Sequence, residues 1–438
     1  MHQNNKELPK TLGLTALVIY GIGDMLGAGV YGLIGVAAGA MGSMVWAGFL
    51  ISAVAALLTA LSYASLGSRY PKAGGAAHVA QRAFKLPAVS YVLGLSVMAS
   101  GLISMAAAAR AFAAYGAPFV PSVPHFVTAI SFLAFLAFIN FLGMRESTWM
   151  NALCTAIELS GLLFIIAVAL PYWGEADLTQ IPSREDNEAA LLILFQGAVL
   201  TFYAFIGFED LLNVAEEVKD PERNFAVGVL TAVLITTIVY MAVSISAVSV
   251  IPHGELAAAS SGPLVLVVER AAPWVNSSIF ALIALFAIAN TALLNYIMAS
   301  RLAFGMSREK LLPEFIGRLH GRRKTPHVAI TIILVIVTVL VQLGDISQLA
   351  SATSILLISV FIVMNVALLV LKRRPEEPKG SFELPSIIPI AAIAINLTLL
   401  YARLRGSDYL PFYIAGAFLL TISLLYFLSP SRKGCNRL

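Results

Sequence analysis

Residues 12–40 form one apolar run, too long for a core helix and interrupted in its middle by five glycines and an acid. As a straight helix it would span roughly 43 Å, against a hydrocarbon slab of roughly 30 Å. Its centre holds Gly21, Gly23, Asp24, Gly27, Gly29 and Gly32. Each glycine weakens a helix by about 1 kcal/mol relative to alanine, so the helix is expected to open here. Opening a helix in lipid frees N–H and C=O groups, which is tolerated only around a ligand, water or other protein. The stretch therefore predicts half of a binding site in a broken transmembrane helix. Close helix packing is the plainer alternative, because Gly23 and Gly27, like Gly35 and Gly39, fit the small-residue spacing. Asp24 favours the site, since packing needs no charge.

With 59% hydrophobic and 12% charged residues, the chain is excluded from the soluble globular class. Twelve spans are expected near 12–40, 42–67, 88–115, 124–142, 151–172, 189–214, 225–250, 275–300, 327–343, 347–371, 384–402 and 410–428. The first exceeds a signal-peptide core and is read as a retained span. Placing the N-terminus in the cytoplasm puts 23 of the 28 Lys and Arg residues in cytoplasmic segments, which sets the orientation and returns the C-terminus to the same side. The net charge of +4 reflects that asymmetry rather than an acidic partner. Residues 252–273 mix Pro252, Gly254 and Pro263 with short apolar pieces, as expected of a partly helical plug on the outer face.

Span 6 carries the second expected break. Gly207, Glu209 and Asp210 fall midway through an apolar run, which ends in Glu216, Glu217 and Val218-Lys219-Asp220-Pro221. Two interrupted helices five spans apart and running in opposite directions predict an inverted repeat, with substrate held where the two breaks meet. The chain is thus expected to be a single membrane unit over 1–438: a first repeat over 12–172, an inverted second repeat over 189–371, and two additional helices over 384–428.

Inside the spans the ionisable groups are Asp24, Arg110, Glu158, Glu209 and Asp210. Each costs several kcal/mol against lipid, so each should face the bundle or a cavity. Four acids against one Arg imply protonation, a bound cation, or a cationic group on the substrate. Arg110 is expected to snorkel near the outer end of span 3, and Asp210 to cap the restarted half of span 6. Glu216 and Glu217 are placed at the cytoplasmic surface, pairing with Lys219, Arg223 or a loop base. Thr291 and Asn295 share one face of span 8. Cys154 and Cys435 give neither a disulfide framework nor a metal spacing. The six histidines fall in loops or at span edges, so no metal and no cofactor is expected. A membrane-embedded enzyme would need a nucleophile–base constellation, and none is present as a motif. A non-transporting receptor is the other alternative.

Gly27-Ala28-Gly29-Val30-Tyr31 resembles the first-span signature of the amino acid–polyamine–organocation superfamily. Pro71-Lys72-Ala73-Gly74-Gly75 is similar to its loop after span 2, Ile206-Gly207-Phe208-Glu209 to its sixth-span motif, and Ser300-Arg301 with Met306-Ser307-Arg308-Glu309 to the end of its eighth span. The resemblance covers nearly the whole chain. It implies a LeuT-type all-α membrane fold and secondary active transport of an amino acid, by symport or exchange, with a polyamine or other organic-amine carrier as the alternative. It implies backbone N–H groups of Gly27, Ala28 and Gly29 on the substrate carboxylate, in agreement with the attraction of a helix N-terminus for anions. It implies carbonyls of Tyr203, Ala204 and Ile206 on the substrate amine, and Tyr203, with Phe205 next, as the aromatic that closes over it. Ile22, Asp24, Phe208 and Glu209 complete the expected substrate-binding set. Asp24 and Glu209 are read as members of a hydrogen-bond network rather than as selectors of a cationic side chain. Proton-coupled and exchanger relatives often carry a lysine in span 5; by alignment through Glu158-Leu159-Ser160-Gly161 that position is Glu158, with the charge reversed. Coupling to H+ or Na+ is expected at Gly23, Glu158, Thr291 and Asn295, which depth counting places at one level.

Overall fold

The computed structural model describes residues 10–116, 119–120, 122–182, 190–259, 262–342, 346–406 and 409–428. Cys435 and both chain ends lie outside them. The described residues form seventeen α-helices and no β-strand. In order these are α1 (Leu14–Leu26), α2 (Ala28–Met41), α3 (Val45–Arg69), α4 (Gly75–Phe84), α5 (Pro87–Gly116), α6 (His125–Leu142), α7 (Met144–Ala169) and α8 (Ala190–Phe202). They continue with α9 (Leu211–Val214), α10 (Pro221–Val250), α11 (His253–Ala258), α12 (Pro263–Ala271), α13 (Ser277–Arg308), α14 (His327–Leu340), α15 (Ile346–Lys372), α16 (Ile387–Leu404) and α17 (Leu410–Leu428).

Among the described residues nine helices are long and apolar enough to cross a membrane, ten when the bent pair Ala190–Phe205 and Phe208–Glu217 counts as one. The shorter apolar helices His327–Leu340 and Leu410–Leu424 stand where spans 9 and 12 are expected. Local chemistry marks several ends. Pro221 sits in the first turn of α10, where its missing N–H costs nothing. Asn276 caps α13 by accepting the Ser278 N–H at 2.9 Å. The partly helical structure expected of 252–273 is met by the short pair α11 and α12, which pack on α2.

Span 1 breaks more narrowly than its glycines suggest. Residues 14–26 and 28–41 are helical, and the interruption is Gly27 alone. Gly21 and Gly23 stay within α1 and let other helices approach: a Cβ on Gly23 would lie 2.0 Å from Thr155 Oγ1. The close packing expected of Gly23 and Gly27, and of Gly35 and Gly39, is present at all four, and Gly27 is in addition where the helix breaks. In span 6 the break falls at Ile206–Gly207, with a 42° bend. Gly207 has φ +131°, a conformation that side chains rarely adopt.

The helices pack in two sets. One holds α1, α2, α3, α8 and α10; the other holds α5, α6, α13 and α14, with α7 and α15 set against both. Partners recur under a shift of five spans: α7 packs on α13 as α15 packs on α5, and α1 on α10 as α8 on α3. Two ties join the broken spans. Leu12 and Thr11, just ahead of α1, donate backbone N–H groups to Glu217 O at 2.9 Å, and Lys219 N–H returns one to Leu12 O at 2.7 Å. Tyr240 of α10 points its hydroxyl at Met25 O and at Ala204 O, one carbonyl from each break.

Candidate substrate site

The two breaks meet at a small cavity of about 20 Å3, lined by Asp24, Gly27, Gly29, Tyr203, Gly207 and Asp210 from the broken spans. Thr291 and Asn295 of α13 and Ser104 of α5 close its other side. A void of this size is at the scale of one water, far below the roughly 300 Å3 or more of an ordinary ligand pocket. Admitting a substrate requires the broken helices and the α5–α13 wall to part.

The helix termini supply backbone chemistry to this space. α2 starts at Ala28 after Gly27, which gives it no side-chain cap, and the N–H groups of such a helix start suit an anion. Gly29 lets the two breaks touch, since a Cβ there would sit 2.9 Å from Ala204 Cα. Tyr203 lines the cavity, with its hydroxyl 3.2 Å from Ser104 Oγ.

Other expected site residues turn elsewhere. Ile22 is buried in the core of the bundle, and Phe205 packs edge-on against Tyr240. Phe208 lies against Tyr63 and Phe361. Ala204 contributes its carbonyl to Tyr240. Glu209 folds back and accepts the Gly207 N–H at 2.9 Å, taking the capping role expected of Asp210, which makes no such bond. Asp210 instead lines the cavity, opposite Asp24.

The expected coupling set is divided. Thr291 and Asn295 belong to the cavity, whereas Gly23 meets a separate polar cluster. Asn290 donates to Gly23 O at 3.2 Å and to Thr155 Oγ1 at 3.1 Å, and Thr155 donates to Asn151 Oδ1 at 3.1 Å. Glu158 lies one turn further along α7, fully buried, with neither carboxylate oxygen hydrogen-bonded. Its backbone carbonyl accepts the Tyr31 hydroxyl at 3.2 Å.

At the end of the bundle that carries most of the arginines, acids and bases are paired. Glu217 accepts Arg301 Nε at 3.2 Å, and Arg301 also donates to Asn140 Oδ1 at 2.7 Å. Glu216 takes Arg308 Nη1 at 2.7 and 2.9 Å and the Ala73 N–H at 2.9 Å. Neither acid is on the surface; of the expected partners it is the bases placed in the loop after span 8, rather than Lys219 or Arg223, that pair with them, because α13 runs two turns past its expected end and carries Arg301 and Arg308 on the helix. Arg110 donates to Val341 O at 3.4 Å and lines a second cavity with His125 and Gln342.

The family model for amino acid permeases matches residues 11–427. The chain belongs to the amino acid permease family. A branched-chain amino acid permease of Bacillus subtilis (strain 168) is 27% identical over 411 residues, covering 89% of this chain and 87% of that protein. A methylthioribose transporter of the same organism is 26% identical over 454 residues, covering 98% and 95%. A vacuolar cationic amino acid transporter of Arabidopsis thaliana is 28% identical over 394 residues, covering 85% of this chain and 64% of that protein. The family and these relatives are carriers, not enzymes. Their substrates differ, so similarity at this level names none for this permease.

Proposed function

We propose that this permease is a secondary active carrier, a symporter or exchanger, which moves an amino acid across the cytoplasmic membrane by alternating access. The observation that carries this reading is the cavity lined from both broken spans at once. Substrate carboxylate sits at the uncapped N-terminus of α2, and substrate ammonium at the carbonyls of the opposite break. The five-span recurrence of packing partners supports two inverted repeats over 12–172 and 189–371, with 384–428 peripheral. The basic end is cytoplasmic by the positive-inside rule, which places both termini there. In this orientation Glu216–Arg308 and Glu217–Arg301 close the inner path, and the two sets of helices rock about the cavity to open each side in turn.

Glu158 is the coupling carboxylate, for H+ or Na+, one turn from the Gly23 cluster. A buried carboxylate without partners changes energy steeply when it gains a proton or a cation, and so responds to opening of the path beside it. Counterflow of radiolabelled amino acids into proteoliposomes tests the carrier reading: accumulation driven by internal unlabelled amino acid is expected, and its absence for every amino acid tried overturns it. Glu158→Gln keeps shape but cannot ionise. It should retain exchange while losing concentrative uptake, and uptake equal to wild type from pH 5 to 8, with and without sodium, removes Glu158 from coupling.

A further inference from the structure

Two carboxylates face the cavity without compensation. Asp24 and Asp210 are 5% and 3% exposed, and one oxygen of each, Asp24 Oδ2 and Asp210 Oδ1, is sealed from solvent without a hydrogen-bond partner. They come from opposite breaks. Asp24 lies over the backbone of Gly207, where an added Cβ would fall 3.0 Å from its carboxyl carbon. The hydrogen-bond network expected of Asp24 and Glu209 is realised for Glu209 alone. Two buried phenols, Tyr20 and Tyr63, leave their hydroxyls unpartnered rather than donating to these acids, and the hydroxyl of Tyr203, which lines the cavity, meets Ser104. Among the described residues no lysine, arginine or histidine lines the cavity. Elsewhere on span 6 the chain does supply guanidinium groups to its acids, so the omission here is specific to this site.

An α-amino acid's own two groups are already provided for. Its carboxylate takes the N–H groups at the start of α2, and its ammonium takes break carbonyls. Neither uses both acids. Both acids line the cavity assigned above to the substrate, and among the described residues no three carboxylate, imidazole or thiol groups converge as a metal site; the complement taken here is a cationic group on the substrate itself. Buried carboxylates bind such groups through short charge-assisted hydrogen bonds, strengthened where water is excluded.

We infer that the substrate of this permease carries a second cationic group, an ammonium or guanidinium, held between Asp24 and Asp210. This rests on the carrier reading above and narrows it. The same chemistry is offered by a basic amino acid and by a diamine, which differ in whether a carboxylate is present for α2.

The test is counterflow and competition with the full chain in proteoliposomes. Lysine, ornithine and arginine are compared with their decarboxylated forms cadaverine, putrescine and agmatine, and with leucine and alanine as neutral controls. Compounds with two cationic groups, called dications below whatever their net charge, are expected to compete at least tenfold better than the neutral pair. Stronger competition by the amino acids than by their decarboxylated forms assigns a carboxylate contact, and the reverse assigns a diamine; either supports the second cation. Asp24→Asn and Asp210→Asn should each weaken dication competition tenfold or more while weakening neutral competition far less. If leucine or alanine exchanges as well as any dication in the wild type, the inference falls and the carrier reading stands. If no compound of any charge is exchanged, both fall. The wild-type series decides the question even where a variant does not fold.

Discussion

Span 6 carries two adjacent acid pairs two helical turns apart, Glu209–Asp210 at its break and Glu216–Glu217 at its end, and their surroundings are opposite. Glu216 and Glu217 each have an arginine from α13 within hydrogen-bond distance. At the break, Glu209 is satisfied by backbone and Asp210 has one buried oxygen with no partner, as does Asp24 across from it. Burial is similar in both places, so desolvation does not separate them. Internal countercharge does. An acid matched by the chain's own base holds helices in register, and an acid left unmatched waits for a charge from outside the chain.

The largest effect expected from this contrast is at the paired end. Glu217→Gln or Arg301→Met leaves one buried charge alone, at a cost of about 3–5 kcal/mol. Either variant should lower the thermal midpoint of the detergent-solubilised protein sharply, and the double variant should recover part of the loss. Single variants that melt with the wild type would mean that the pair does not hold α13 to span 6. A smaller effect is expected at Tyr240, whose hydroxyl serves backbone rather than charge. Tyr240→Phe leaves the Met25 and Ala204 carbonyls without that donor, at a cost of about 1 kcal/mol. Its midpoint should fall slightly, and substrate affinity should fall with it, because Met25 lines the cavity. An unchanged affinity would separate Tyr240 from the site.

The broken helices were legible because glycines and acids in an apolar run have few explanations. Gly27, Gly29, Asp24, Tyr203, Thr291 and Asn295 were all named from sequence and all line the cavity. What escaped depends on rotation and distance. Glu209 and Asp210 are neighbours in an irregular turn, where helical period no longer says which one faces inward. Asn290 and Thr291 are neighbours on α13, yet a rotation of roughly 100° sends one to Gly23 and the other to the cavity. Ser104 is one of several serines on α5, and nothing local distinguishes it. Arg301 pairs with a residue 84 positions away, and only the length of α13 shows that it lies within the bundle rather than in a loop.

A near-absent effect sharpens the comparison at the break. Asp24→Asn and Asp210→Asn remove charges that no residue of the chain compensates. Their thermal midpoints in the absence of substrate should equal or exceed the wild type, in contrast to Glu217→Gln. A loss comparable to that of Glu217→Gln would show that the chain compensates these acids after all.

The smallest effect expected is one of pH on the paired end. Residues 373–386, between α15 and α16, are tied to the bundle by two glutamates outside the spans. Burial opposes ionisation of Glu377, but hydrogen bonds from Arg82 at 2.8 Å and Tyr70 at 3.0 Å hold its carboxyl below the ordinary value. Burial likewise opposes Glu383, and Arg69 with the Gly380 N–H holds that carboxyl low. Tyr70, pushed up to about 12 by burial and by its bond to Glu377, remains a donor throughout. A carboxyl whose folded value is depressed adds stability that is complete above its unfolded value, roughly 4.3, and is lost as pH falls through the folded value. These contacts should therefore be unchanged from pH 8 to pH 5 and loosen only on further acidification. Hydrogen exchange of peptides covering 373–386, corrected for intrinsic rates, reads this directly. Constant protection over pH 5 to 8 would assign any pH dependence of transport in that range to groups beyond this segment, with Glu158, Asp24 and Asp210 the unpaired acids to examine. Protection that falls within the range would place a titrating switch at the basic end and reverse the comparison.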